Sequence, residues 1–134
     1  MKLILYSDGG SRGNPGPAAA GMVLKDKNSK TVLEWGEYLG VQTNNYAEYQ
    51  GLILGLKKAK ELGADEVECI LDSELVMKQM NRIYKVKEPT LQKLFIEAYN
   101  TSAQFKKVTY RHTMRAGNKE ADKMVNEALD KNIT

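Results

Sequence analysis

The chain has 134 residues, is 42% hydrophobic and 28% charged, and carries a formal net charge of +3. This is the composition of an ordinary soluble globular protein, long enough for one domain with a proper core. No apolar run approaches the roughly 18 residues of a membrane span, and the small positive charge permits a nucleic-acid partner without requiring one.

The first residues run straight into a strand with no basic leader or cleavage site. Cys69, the single cysteine, has no internal partner and reads as a buried structural thiol. A cytoplasmic location without membrane contact is expected.

Residues 2–7 read as a strand. Asp8 follows directly, ahead of a glycine-rich turn that lets a ligand approach the backbone. A carboxylate in that place is costly unless it is paired or meets a cation. Pro15-Gly16-Pro17 interrupts the chain; residues 18–25 form a second strand, Asp26-Lys27-Asn28-Ser29 a turn and residues 30–39 a third strand. Their short connections predict an antiparallel meander.

The period then changes. Ala47, Gly51, Leu52, Gly55, Leu56, Ala59 and Leu62 lie along one stripe at helical spacing. Asn44 or Asn45 is positioned to cap this helix and Gly63 to end it. Residues 67–71 read as a short strand and 73–83 as a short helix. A longer helix follows from Pro89 to about residue 103, then a last strand over 105–112 and a last helix over 118–131.

The order is βββαβααβα. With a right-handed parallel crossover it predicts an α/β fold, a mixed five-stranded sheet of order 3-2-1-4-5 flanked by helices. Strands 1 and 4 become parallel neighbours, so Asp8 and Asp72 stand side by side at the rim where open α/β sheets bind ligands. Glu48, in the first turn of the long helix, and Asp122, near the start of the last, can reach the same rim.

Carboxylates clustered this way repel and desolvate badly. Divalent cations relieve both penalties, and Mg²⁺ favours oxygen ligands. Two such ions about 3.5–4 Å apart clamp a phosphodiester. Taken singly, Glu48 and Asp122 are also ordinary helix-start acids and Asp72 an ordinary cap. Their joint placement is what points to a site.

In four segments the chain resembles the ribonuclease HI family. These are residues 8–17 (Asp-Gly-Gly-Ser-Arg-Gly-Asn-Pro-Gly-Pro), residues 43–48 (Thr-Asn-Asn-Tyr-Ala-Glu), Leu71-Asp72-Ser73, and residues 118–122 (Asn-Lys-Glu-Ala-Asp). The resemblance covers essentially the whole chain, in the family's order and spacing. It implies a single ribonuclease H catalytic domain over residues 1–134, a monomeric endonuclease that hydrolyses the RNA strand of RNA–DNA hybrids with two Mg²⁺ or Mn²⁺ ions per active site.

By the same match, Asp8, Glu48, Asp72 and Asp122 are expected to be the catalytic metal ligands, and Glu48 to reach the RNA 2′-hydroxyl near the cut. Asn14, Asn44 and Asn45 are expected in the substrate groove, Gly10, Ser11 and Arg12 on RNA phosphates, and Thr43 on a DNA phosphate. His112 is the family's candidate for assisting product release. Its loop, His-Thr-Met-Arg-Ala-Gly-Asn, departs from the usual Gly-His-x-Gly form and makes Arg115 its rival.

The basic, tryptophan-containing protrusion of better-known members is missing. Residues 83–89 are only Ile-Tyr-Lys-Val-Lys-Glu-Pro, with Lys78, Arg82, Lys85 and Lys87 as what is left of that contact or as a solvated face. This keeps a second reading open, a catalytically weak paralogue that binds hybrid or double-stranded RNA. A third, an integrase-like or resolvase-like transferase, is disfavoured by the short length and the residue 8–14 match.

Overall fold

Strand β1 (Lys2–Ser11) is the hub of the sheet in this computed structural model, which describes residues 1–132. The chain continues through β2 (Gly16–Lys25), β3 (Thr31–Gln42), helix α1 (Asn44–Glu61), β4 (Glu66–Leu71), α2 (Glu74–Met80), α3 (Pro89–Ser102) and β5 (Lys107–His112). A 3₁₀ turn (Arg115–Asn118) then leads into α4 (Lys119–Asn132). The sheet order is β3-β2-β1-β4-β5, as expected. β1 pairs antiparallel with β2 and parallel with β4, and β4 pairs parallel with β5. No helix among the described residues is long and apolar enough to cross a membrane.

One expectation is corrected at the centre of the site. Asp8 does not end β1, because Gly9, Gly10 and Ser11 continue the strand, paired with Ala20, Ala19 and Ala18 of β2. What ends at this point is β4. Ser7 opposite Leu71 is the last β1–β4 pair, so Asp8 keeps a neighbour on β2 and loses the one on β4. The sheet therefore forks at Asp8, and the cleft opens in the fork. The start of α1 is also corrected. The cap is Thr43, whose hydroxyl accepts from Tyr46 N, and Asn44 and Asn45 lie inside the helix. The short helix α2 stops at Met80, three residues earlier than its pattern suggested, because Arg82 takes a left-handed φ of 60°.

The sheet is covered on both faces. Leu3, Leu5, Leu24, Leu52, Leu56, Val67 and Cys69 belong to the main core, under α1. Ala19 packs against Val125, Ala128 and Leu129 of α4 in a second cluster. Small residues let both helices come very close. A β-carbon on Gly9 would run into the Ala47 carbonyl of α1, and one on Gly51 into the Asp8 carbonyl. On the other face, a β-carbon on Gly21 would meet the Ala121 carbonyl of α4.

Gly9→Ala is accordingly expected to destabilise the fold by about 3 kcal/mol, since overpacking against backbone cannot relax by a rotamer change. Urea unfolding measures it; a loss below about 1 kcal/mol would mean that α1 can slide off the strand at little cost.

Candidate active site

Asp8, Glu48 and Asp72 each bring a carboxylate oxygen to within 4.8 Å of the other two, the one such acidic group of three among the described residues. Asp8 sits on β1 at the fork and is 6% exposed. Asp72 follows the last residue of β4, immediately before Ser73, whose hydroxyl caps α2 by accepting from Val76 N. Glu48 was expected in the first turn of α1, but the helix begins at Asn44 and places it in the second turn, next to Ala47, the residue pressed onto Gly9. That close approach has a direct result. The Gly9 N–H donates to Asp8 Oδ1 and to Glu48 Oε1, both at 2.8 Å, so one strand amide holds two of the three acids.

Burial makes these carboxyls harder to ionise than free ones. Desolvation pushes Asp8 up to about 7; the hydrogen bond with Glu48 and the Gly9 amide counter this, and the charge of Asp72 adds to it. Burial also raises Glu48, reinforced by the charge of Asp8. Asp72 is raised by burial too, against hydrogen bonds from Asp8, its own backbone and Asn118. Asp72 Oδ1 is buried with no hydrogen-bond partner. Hard oxygen donors that repel one another, one of them unpaired, are the donor set a Mg²⁺-like cation requires.

Asp122 is close to this trio but outside it. It projects from the first turn of α4 into the same cleft, where Arg115 Nη2 approaches its Oδ1 at 3.4 Å. The cleft is lined further by Gly10, Ser11, Arg12, Asn44 and Ser73, with Val125 and Leu129 as its apolar floor. Ser11 is fixed by Asn44, whose Oδ1 accepts from both Ser11 N and Ser11 Oγ, at 2.8 and 3.0 Å. Arg12 reaches back to Asp130 of α4 at 2.7 Å.

Other expected residues lie elsewhere. Asn14, Thr43 and Asn45 line a neighbouring cleft together with Tyr46, Glu88 and Thr90. Asn14 Oδ1 accepts from Asn44 N at 3.0 Å, which ties the two clefts together. His112 ends β5 and does not line the acidic cleft, whereas Arg115 does. Of the basic residues near the missing protrusion, Lys78 pairs with Glu74 at 2.7 Å and Arg82 stacks on Tyr99. The spacing pattern gave no role to the Gly9 amide or to Asn118, which is 1% exposed.

The Reverse transcriptase-like family matches residues 6–128. A bifunctional protein of Mycobacterium tuberculosis is 47% identical over 131 residues, 97% of this chain but only 36% of that protein, so the chain spans about a third of its length. Ribonuclease HI of Halobacterium salinarum is 42% identical over 129 residues, 96% of this chain and 65% of that protein. The crystal structure of RNase H1 from that archaeon matches with a TM-score of 0.96 at 40% identity, over 98% of this chain and 99% of that one. The structure of LC11-RNase H1 in complex with an RNA/DNA hybrid gives 0.94 at 42% identity, over 98% and 99%.

The raised carboxyls have a consequence for stability. In metal-free protein the folded site holds protons that the unfolded chain releases above the ordinary carboxylate range, so stability falls as pH rises from there to about 7. In chelator, the melting temperature is expected to be higher at pH 5 than at pH 8 by roughly 3–8 °C, or about 1–2 kcal/mol. Asp8→Asn should flatten the profile. Equal melting at both pH values would show that the acids ionise freely in the fold.

Proposed function

The chain belongs to the ribonuclease H family, and from that premise we propose that it is a metal-dependent endoribonuclease cutting the RNA strand of RNA–DNA hybrids, with residues 1–134 acting as one catalytic domain and as a monomer. The observation that carries the proposal is the Asp8–Glu48–Asp72 cluster in the fork of the sheet, with its carboxylate oxygens close together and open to the cleft. The hybrid held by a structure 42% identical to this chain supports the substrate class.

Asp8, Glu48, Asp72 and Asp122 would hold the cations, Mg²⁺ or Mn²⁺ and two in number. The bound metal would supply neutralisation of the scissile phosphate and a water acidic enough to attack it at neutral pH. The rest falls to the chain. The Gly9 amide keeps Asp8 and Glu48 oriented, so little reorganisation is needed when charge builds up. Glu48, on the α1 side of the cleft, is placed to accept from a 2′-hydroxyl, the group that separates RNA from DNA.

Gly10 and Ser11 present strand backbone beside the acids, and Asn44 holds Ser11 there for an RNA phosphate. Arg12 adds charge at the cleft edge. Asn14, Thr43 and Asn45, in the adjoining cleft, suit the other strand, with the Thr43 hydroxyl facing a DNA phosphate. Arg115 takes the product-release role in preference to His112, because its guanidinium already lies over Asp122 in the cleft. His112 instead ends β5 opposite Leu71 and lies near Glu74 of α2.

The test is incubation of labelled hybrid, double-stranded RNA and double-stranded DNA with the protein in Mg²⁺, in Mn²⁺ and in chelator. Cleavage is expected in the RNA of the hybrid alone, abolished by chelator and reduced to the buffer level by Asp8→Asn or Glu48→Gln with hybrid binding retained. Binding without cutting would overturn the nuclease in favour of a binding paralogue, and nicking of DNA would overturn the substrate.

Phosphate contacts from scattered basic residues also predict a steep salt dependence of hybrid Kd. Lys85→Ala and Lys87→Ala should each lower the slope of log Kd against log salt by about one at most. An unchanged slope in both would remove this loop from the substrate surface.

A further inference from the structure

Asn118 has no part in the chemistry above, yet its buried side chain lies where three acid-bearing elements meet. It closes the 3₁₀ turn one residue before α4 begins, and one helical turn before Asp122. Its Nδ2 donates to the Ser7 carbonyl at 2.8 Å. That carbonyl shares a peptide unit with the amide of Asp8 and stands at the last β1–β4 pair. On the β4 side of the same pair, the Leu71 carbonyl is taken by Thr113 N at 2.8 Å.

The Asn118 side chain also lies close to the Asp72 carboxyl, while its own Oδ1 is buried with no partner. A buried acceptor left unpaired is destabilising. A side chain serving only to fill this space would not carry one, so the donor end is the part in use.

We propose that Asn118 is a positioning residue whose carboxamide ties the Ser7–Asp8 peptide to the start of α4, beside the Asp72 carboxyl, and so sets the spacing at which Asp8, Asp72 and Asp122 accept a divalent cation. The residue touches neither substrate nor reacting atoms. It acts through the three acids, as hydrogen-bonded partners of metal ligands do. The proposal rests on the nuclease reading only for its kinetic readout; its metal-binding readout stands apart.

Two variants separate positioning from packing. Asn118→Ala removes the amide and leaves a hole. Asn118→Leu keeps nearly the same shape, removes the unpaired oxygen and provides no donor, so it serves if the alanine variant does not fold. Mn²⁺ binding to substrate-free protein is measured by calorimetry, with melting temperature, hybrid Kd in chelator, kcat and KM measured alongside.

In both variants Mn²⁺ affinity is expected to fall about 10–100-fold. kcat should fall with it at limiting metal, while KM and hybrid Kd in chelator stay within about twofold. A folded Asn118→Leu protein that binds Mn²⁺ like the wild type overturns the proposal and makes Asn118 a packing residue. A wild type that binds Mn²⁺ but leaves hybrid uncut, with weakened Mn²⁺ binding in both variants, refutes the nuclease and upholds the role of Asn118.

Discussion

The distance at which two helices can approach one strand pair governs everything at this site. Gly9 admits the Ala47 carbonyl of α1 onto β1, and Gly51 admits the Asp8 carbonyl onto α1. Gly21, the β2 partner of Asp8, admits the Ala121 carbonyl of α4 from the opposite face. Glu48 and Asp122 are the next residues along their helices. Side chains larger than hydrogen at these glycines would lift each helix away and carry its acid with it. Close packing thus acts as the ruler of the constellation, and it works because the interior is too dense to absorb a displaced backbone.

The same geometry sets up a conflict. Desolvation favours neutral carboxyls, whereas a cation ligand must be ionised. The fold concentrates Asp8, Glu48 and Asp72 where water is scarce and leaves Asp72 Oδ1 without a partner. In the proposed metal site, fold stability and cation affinity would then pull on the same three groups in opposite directions, a common arrangement at sites whose ligand is not part of the chain. Arg115 and Asp122 sit at the wetter edge of the cleft, where their pairing is exchangeable and weak.

Much of this was legible in the order of residues, and the exceptions share a physical cause. The sheet order followed from the change of period after residue 42 and from crossover handedness, and the four acids stood out by falling at strand ends and helix starts. The end of β1 was misread because Gly9-Gly10 has the composition of a turn, while the alanines of β2 that pair with it, Ala20 and Ala19, lie beyond the intervening Pro15-Gly16-Pro17.

Thr43 took the cap from Asn44 for a tertiary reason too, since the Asn44 side chain is occupied with Ser11. His112 drew attention as the family's candidate for assisting product release. The structure places it on β5, with β4 between it and Asp8. Asn118 looks in sequence like one more helix-start amide, and only its burial against Ser7 distinguishes it.

One N–H of the backbone, that of Gly9, lies between Asp8 and Glu48 and donates to both. This gives the protein a spectroscopic gauge at the heart of the cluster. Amide proton shifts respond strongly to the charge of an acceptor, so the Gly9 resonance in a nitrogen-15 correlation spectrum would register protonation of either acid and the arrival of any cation. Glycine amides occupy an uncrowded part of such spectra, and the chain has only eleven glycines. The chemistry of the cleft could then be followed on an unmodified protein, with no probe placed among the acids themselves.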